Sequence, residues 1–173
     1  AQGDLEVSGI PSGLKVFPVP SGINNVVSSR TGIYASYTAV GISGCKMDSM
    51  RYGIEVNLAT AGIFSSIIAN TINATDYGIN LYDNNGGDQI VVEDNLININ
   101  GSKVGIGIGA AEFVKAPTNT YAINNNVVQI INAGAGIQIS GVRNSLVSNN
   151  RITIEKGINT APVTIGMNIT AGG

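Results

Sequence analysis

The sequence predicts an all-β chain wound as a parallel β-helix of about six coils, and three observations predict it. The first is a phrase centred on asparagine: an apolar residue, two free positions, Asn, one free position and a second apolar residue. It stands as Ile67-Ile68-Ala69-Asn70-Thr71-Ile72, Val92-Glu93-Asp94-Asn95-Leu96-Ile97, Ile123-Asn124-Asn125-Asn126-Val127-Val128 and Val147-Ser148-Asn149-Asn150-Arg151-Ile152. The second is a phrase of glycine, an apolar residue, any residue and usually another apolar one, which alternates with the first through the chain. The third is that both phrases repeat apolar and polar residues with a period of two, which marks strands and not helical faces. A repeat of this size cannot bury its apolar face alone, so its coils must stack to make a core.

Composition agrees. Charged residues are 12% and aromatics 5% of the 173 residues, and 23 are glycine, a mixture that favours strands and turns over helices. An apolar content of 43% with a net charge of −2 argues against disorder. The absence of histidine excludes Ser-His and Cys-His nucleophilic pairs and any histidine metal site. No metal or cofactor is expected. Cys45 is the single cysteine, read as a small buried apolar thiol. Nine scattered Lys and Arg make no basic patch for nucleic acid, so no nucleic-acid partner is expected. No apolar run approaches the roughly 18–20 residues of a membrane span. The chain starts Ala-Gln-Gly, without an initiator Met, and reads as a processed chain or a piece of a longer rod.

Taken in order, residues 1–20 fit the repeat poorly, and Pro11, Pro18 and Pro20 would interrupt a central strand. They read as a lead-in segment or cap, with the β-helix domain over 21–173. The glycine phrase begins at Gly32, Gly53, Gly78, Gly105, Gly136 and Gly166, and the asparagine position falls at Asn25, Cys45, Asn70, Asn95, Asn126 and Asn150. Extra residues are expected over 110–117, as a loop leaving the coil, and between Asn150 and Gly166. Asparagine tolerates a left-handed backbone and suits a tight bend. Stacked on its neighbours, each Asn amide can also donate to the Asn of the next coil, so this column is read as structural.

The turn asparagines within "ANTINA", "EDNLINI", "NNNVVQI" and "SNNRITI" resemble those of the right-handed parallel β-helix superfamily of pectate lyases, phage tailspikes and related carbohydrate-active proteins. The likeness covers about residues 21–170 and is specific for fold more than for activity. It implies a right-handed coil, most like a segment of a phage tailspike. It also implies an extracellular or virion-surface location, a homotrimer and a bacterial surface polysaccharide as partner. No catalytic motif of the superfamily is matched.

Aligning the glycines puts Ile33, Ile54, Ile79, Ile106, Ile137 and Met167 in one inward stack. One step on, Tyr34, Glu55, Asn80, Gly107, Gln138 and Asn168 form an outward column. Two steps further lie Ser36, Asn57, Tyr82, Gly109, Ser140 and Thr170. Tyr34, Asn57, Asn80, Tyr82 and Gln138 are therefore the candidate substrate-binding residues, since sugar hydroxyls pair with amides and carboxylates and sugar rings stack on aromatics. Tyr52 and Tyr77 should stack on each other. Arg30, Arg51, Asp76 and Lys103 form a further column, in which Asp76 sits between cations and stays ionised.

Glycoside hydrolysis needs two carboxyl groups, about 5–5.5 Å apart for retention or 6.5–9.5 Å for inversion. Glu55, on the polar stripe, and Asp83, on the next coil, are the candidate catalytic pair. The register sets them roughly 11 Å apart. Asp88, in Asn84-Asn85-Gly86-Gly87-Asp88, only superficially matches a calcium-binding turn. The sequence thus predicts a polysaccharide-binding or polysaccharide-cleaving module of tailspike type. The alternatives are a non-catalytic structural or adhesive β-helix, and a polysaccharide lyase or epimerase.

Overall fold

A computed structural model describes residues 6–8, 15–16, 31–36, 39–58, 62, 64–83, 87–101, 105–112, 119–131, 134–142, 145–155 and 165–171. Its strands are β1 (Glu6–Ser8), β2 (Lys15–Val16), β3 (Thr31–Ser36), β4 (Gly41–Ser43), β5 (Lys46–Leu58), β6 (Phe64–Ile68), β7 (Thr71–Asp83) and β8 (Gln89–Glu93). They continue as β9 (Leu96–Asn100), β10 (Gly105–Glu112), β11 (Thr120–Asn124), β12 (Val127–Ile131), β13 (Gly134–Val142), β14 (Leu146–Ser148), β15 (Arg151–Glu155) and β16 (Ile165–Ala171).

The chain is a right-handed parallel β-helix, and each coil has three faces. The first stacks β4, β6, β8, β11 and β14 in parallel. The second stacks the first halves of β5 and β7 with β9, β12 and β15. The third stacks β3, the second halves of β5 and β7, β10, β13 and β16. The strands β5 and β7 run unbroken around the corner between the second and third faces. Two short antiparallel strands add to these layers: β1 on β4 of the first face, and β2 on β3 of the third, with Lys15 opposite Tyr34. Pro11, Pro18, Pro20, Asn25 and Arg30 lie outside the described residues.

Inward positions stack like on like along the rod. Ile42, Ile67, Val92 and Ile123 make one column and Met47, Ile72, Ile97 and Val128 another, all at most 5% exposed. Each fully buried aliphatic side chain contributes about 1.5–3 kcal/mol relative to exposure, so the core is a set of short repeated contributions in place of one central cluster. In β5 the register slips between Met47 and Met50, and Ser49 adopts φ 58°. The extra residue of this bulge turns Met50 back into the core.

The bend between the first and second faces is built by two adjacent residues with separate tasks. The left-handed residue is the one before the asparagine column: Gly44, Ala69, Asp94, Asn125 and Asn149, with φ between 53° and 64°. This corrects the expectation that the column Asn itself takes the left-handed bend. The column Asn turns inward and bonds. Asn70 Nδ2 donates to Asn95 Oδ1 (3.0 Å), Asn95 Nδ2 to Asn126 Oδ1 (2.9 Å) and Asn126 Nδ2 to Asn150 Oδ1 (2.9 Å). Each of these oxygens also accepts the backbone N–H of the preceding column residue, while the remaining amide proton goes to the carbonyl of Ile42, Ile67 or Val92 on the coil before. Every polar group in this buried column is thereby satisfied at each level. Cys45 occupies the first rung. Its N–H donates to Asn70 Oδ1 (3.0 Å) like the others, and its thiol donates instead to the Ser43 carbonyl (3.4 Å).

The glycine column holds the opposite end of the second face, with one change of register. Ile108, not Ile106, pairs with Ile79, and Ile106 pairs with Tyr77. The anchor of the fourth level is therefore Gly107. Residues 105–109 read Gly-Ile-Gly-Ile-Gly, so the phrase fits in two frames, and packing chooses between them: Ile108 is 0% exposed whereas Ile106 is half-buried. A second correction follows, because Ala110, Ala111 and Glu112 belong to β10 and do not leave the coil.

Candidate functional site

The third face carries the polar stripe. With the corrected frame its columns are Tyr34, Glu55, Asn80, Gly109, Gln138 and Asn168, and Ser36, Asn57, Tyr82, Ala111, Ser140 and Thr170. Gly109 and Ala111 replace the expected Gly107 and Gly109. All five candidate binding residues thus share one surface, because each occupies an outward position of a strand held in register with its neighbours.

Tyr34, Glu55 and Tyr82 form the centre of this surface. Burial, hydrogen bonding to Tyr34 and the nearby Glu55 carboxylate push the Tyr82 phenol well above its ordinary value of 10.0. Tyr34 and Tyr82 thus flank the carboxylate from the coils on either side. Asn57 lies beside them, and its Oδ1 is shielded from water without a hydrogen-bond partner. At the corner leading into this face, Tyr52 and Tyr77 stack with ring centroids 5.5 Å apart and planes at 11°, as expected. The Tyr77 ring leans toward Gly109, where a Cβ would lie 3.1 Å from its Cε1. Tyr34 and Tyr82 thus stand by the Glu55 carboxylate, with the Tyr52–Tyr77 stack at the neighbouring corner.

The raised Tyr82 value has a measurable consequence. A phenol with a higher pKa folded than unfolded contributes stability that is complete below the unfolded value and is lost as pH rises through the folded one. Stability of the wild-type chain is expected to fall as pH climbs above about 10. Tyr82→Phe should make that fall shallower and remove one late-appearing phenolate from an ultraviolet absorbance titration. Unchanged late titration in the variant would disprove the assignment.

Arg51 stacks over Tyr52 at 5.2 Å and its Nε lies 2.7 Å from Asp76 Oδ2, while Thr75 Oγ1 donates to Asp76 Oδ1. The corrected frame places Gly105 beside Asp76, and Lys103, the expected second cation, lies outside the described residues. With the guanidinium open to solvent, the pair adds little to stability.

The candidate catalytic pair is less compact. Asp83 takes the register position opposite Leu58 and Glu112, one coil and three residues from Glu55. An odd offset along a pleated strand is not the spacing that brings two carboxylates to one face. The Asp83 side chain lies outside the described residues.

One polar cluster was not anticipated. Asp88, Asn119 and Tyr121 are at most 1% exposed at the corner before the first face. The Asp88 N–H donates to Asn119 Oδ1 (2.9 Å), and Asn119 Nδ2 donates to Tyr121 Oη (3.1 Å). These three side chains are buried, and residues 84–86 of the turn before Asp88 lie outside the described residues. Among the described residues no group of three or more His, Cys, Asp or Glu is gathered to hold a metal.

Fold and surface together define a pectate-lyase-like β-helix protein, of a kind that serves as a polysaccharide-related or structural module. Residues 13–169 match the family described as periplasmic copper-binding protein (NosD), and the chain belongs to that family. Neither a curated protein nor a solved structure matches it. The family's description places it outside the cytoplasm. The match is to NosD and not to a tailspike, so the virion surface and homotrimer implied by that resemblance gain no support.

Copper is held by imidazole nitrogen, thiolate and thioether sulfur, and this chain's donors do not fit such a site. It has no histidine. Burial pushes the Cys45 thiol up, away from the thiolate a metal needs. Met47 and Met50 are each 5% exposed and pack in the core, and Met167 lies at the far end of the rod.

Proposed function

We propose that the chain is an extracytoplasmic polysaccharide-binding β-helix module, with its ligand laid along the stripe of the third face. The observation that carries this reading is the group of Tyr34, Glu55 and Tyr82 beside the stacked Tyr52 and Tyr77. Aromatic faces for sugar rings and acceptors for sugar hydroxyls stand together on a rigid sheet. An extended polymer running along the rod meets equivalent positions at intervals of about 4.8 Å, and Asn80 and Gln138 continue the polar contacts beyond the tyrosines. A bacterial surface polysaccharide is the partner class this surface suits.

Retention on immobilised bacterial polysaccharides tests the proposal. Tyr82→Ala is expected to weaken retention at least about tenfold, equivalent to about 1.4 kcal/mol, and Gln129→Ala, on the second face, to leave it unchanged. Equal retention of both variants, or none by the wild type, would favour a purely structural or adhesive module. New reducing ends that are lost with Glu55→Gln and with Asp83→Asn would add cleavage to binding.

A further inference from the structure

We infer that the glycan this stripe takes is an amino-sugar polymer with free ammonium groups, a specificity that rests on the binding reading above. Among residues whose side chains are described, the stripe is rich in acceptors and holds no cation; the side chain of Lys15, which pairs with Tyr34, lies outside them. Among outward residues of the third face whose side chains are described, Glu55 is the only charged one, and no ion pair to it forms among the described residues. Arg51, the nearest described cation in sequence, is engaged at the corner by Asp76 and the Tyr52 ring.

A carboxylate flanked by tyrosines is the chemistry that recognises an ammonium group. The carboxylate supplies charge and accepts its N–H donors, and ring faces attract cations within about 6 Å of their centroids. A uronate polymer would instead bring its carboxylates against Glu55, and like charges at close range disfavour binding. A neutral or N-acetylated polymer could stack on the rings and bond to Asn80 and Gln138. It would leave the Glu55 charge without a counter-ion.

The test compares an oligomer of glucosamine, its fully N-acetylated counterpart and an oligogalacturonate of equal length by isothermal titration calorimetry on the intact chain. The glucosamine oligomer is expected to bind at least tenfold tighter than the acetylated one, and the uronate least well. Glu55→Gln should abolish that preference, weakening the glucosamine oligomer at least tenfold relative to the acetylated one. Glu155→Gln, which removes the same charge from the second face, should keep the preference and so separates a local contact from the attraction of a net-negative protein. Equal affinity for the two glucosamine oligomers, preference for the uronate, or loss of preference in both variants would overturn the ammonium specificity while leaving glycan binding intact. Failure of all three ligands to bind would overturn the specificity, and failure of the bacterial panel as well would remove the reading beneath it.

Discussion

Asn95→Ala is expected to destabilise the chain by about 2–6 kcal/mol, because each buried donor left without an acceptor costs about 1–3 kcal/mol. Asn95 Oδ1 accepts both the backbone N–H and one side-chain proton of Asn70 at 3.0 Å. Its own amide donates to the Ile67 carbonyl and to Asn126 Oδ1. At 1% exposure water cannot substitute for it. The loss is a large share of the ordinary stability of about 5–15 kcal/mol for a domain. Denaturant unfolding measures it, with Asn98→Ala as reference. Asn98 also belongs to an amide ladder, donating to Asn73 Oδ1 at 2.8 Å, but it lies half-exposed on the second face. A ladder in contact with water should lose at most about 1 kcal/mol. If the two substitutions cost the same, buried satisfaction is not what holds the bend.

Gly78→Ala should be comparably severe for a steric reason. A Cβ at Gly78 would run into Ile97 Cγ2 and come within 2.6 Å of the Gly107 carbonyl oxygen. The side chain could rotate away, but the carbonyl belongs to the next strand and cannot move without opening the sheet. Overpacking of a filled core costs about 1–3 kcal/mol, and contact with backbone places this change at or above the upper end. Gly166 occupies the same column on β16, and among the described residues nothing lies within 4 Å of where its Cβ would stand. Gly166→Ala should therefore be neutral in the same unfolding experiment. A Gly78→Ala protein as stable as Gly166→Ala would show that the column is not set by close approach.

The architecture was legible because two patterns repeat: the period-two alternation and the fixed asparagine. A column defined by stacking announces itself once per coil, and the amide ladder follows from the donors and acceptors of Asn alone. The frame at 105–109 was not legible. Gly-Ile-Gly-Ile-Gly is equivalent to itself two residues on, and only burial of Ile108 in the core breaks the tie. The residue that makes the bend was hidden for a related reason. Its left-handed position is filled by Gly44, Ala69, Asp94, Asn125 and Asn149, which vary from coil to coil, whereas the Asn beside it never varies after Cys45. Of the candidate site, the stripe could be seen because it inherits the register of the core. The grouping of Tyr34 with Tyr82 across the intervening Glu55 depends on how side chains lean between coils. The buried Asp88, Asn119 and Tyr121 occur at one corner only, so no repetition exposed them.

The two columns that bound the second face have a consequence for how such a molecule can change. The Asn rungs and the close-packed glycines fix the pitch, since each demands contact with the level above and below. Neither constrains the perimeter. Successive column asparagines lie 25 residues apart from Asn70 to Asn95 and 31 from Asn95 to Asn126, yet the amide bonds across both steps differ by only 0.1 Å. Residues can accordingly be added to a single turn, widening one ledge of the rod, while its rise per turn and the alignment of the tyrosine stripe stay as they were.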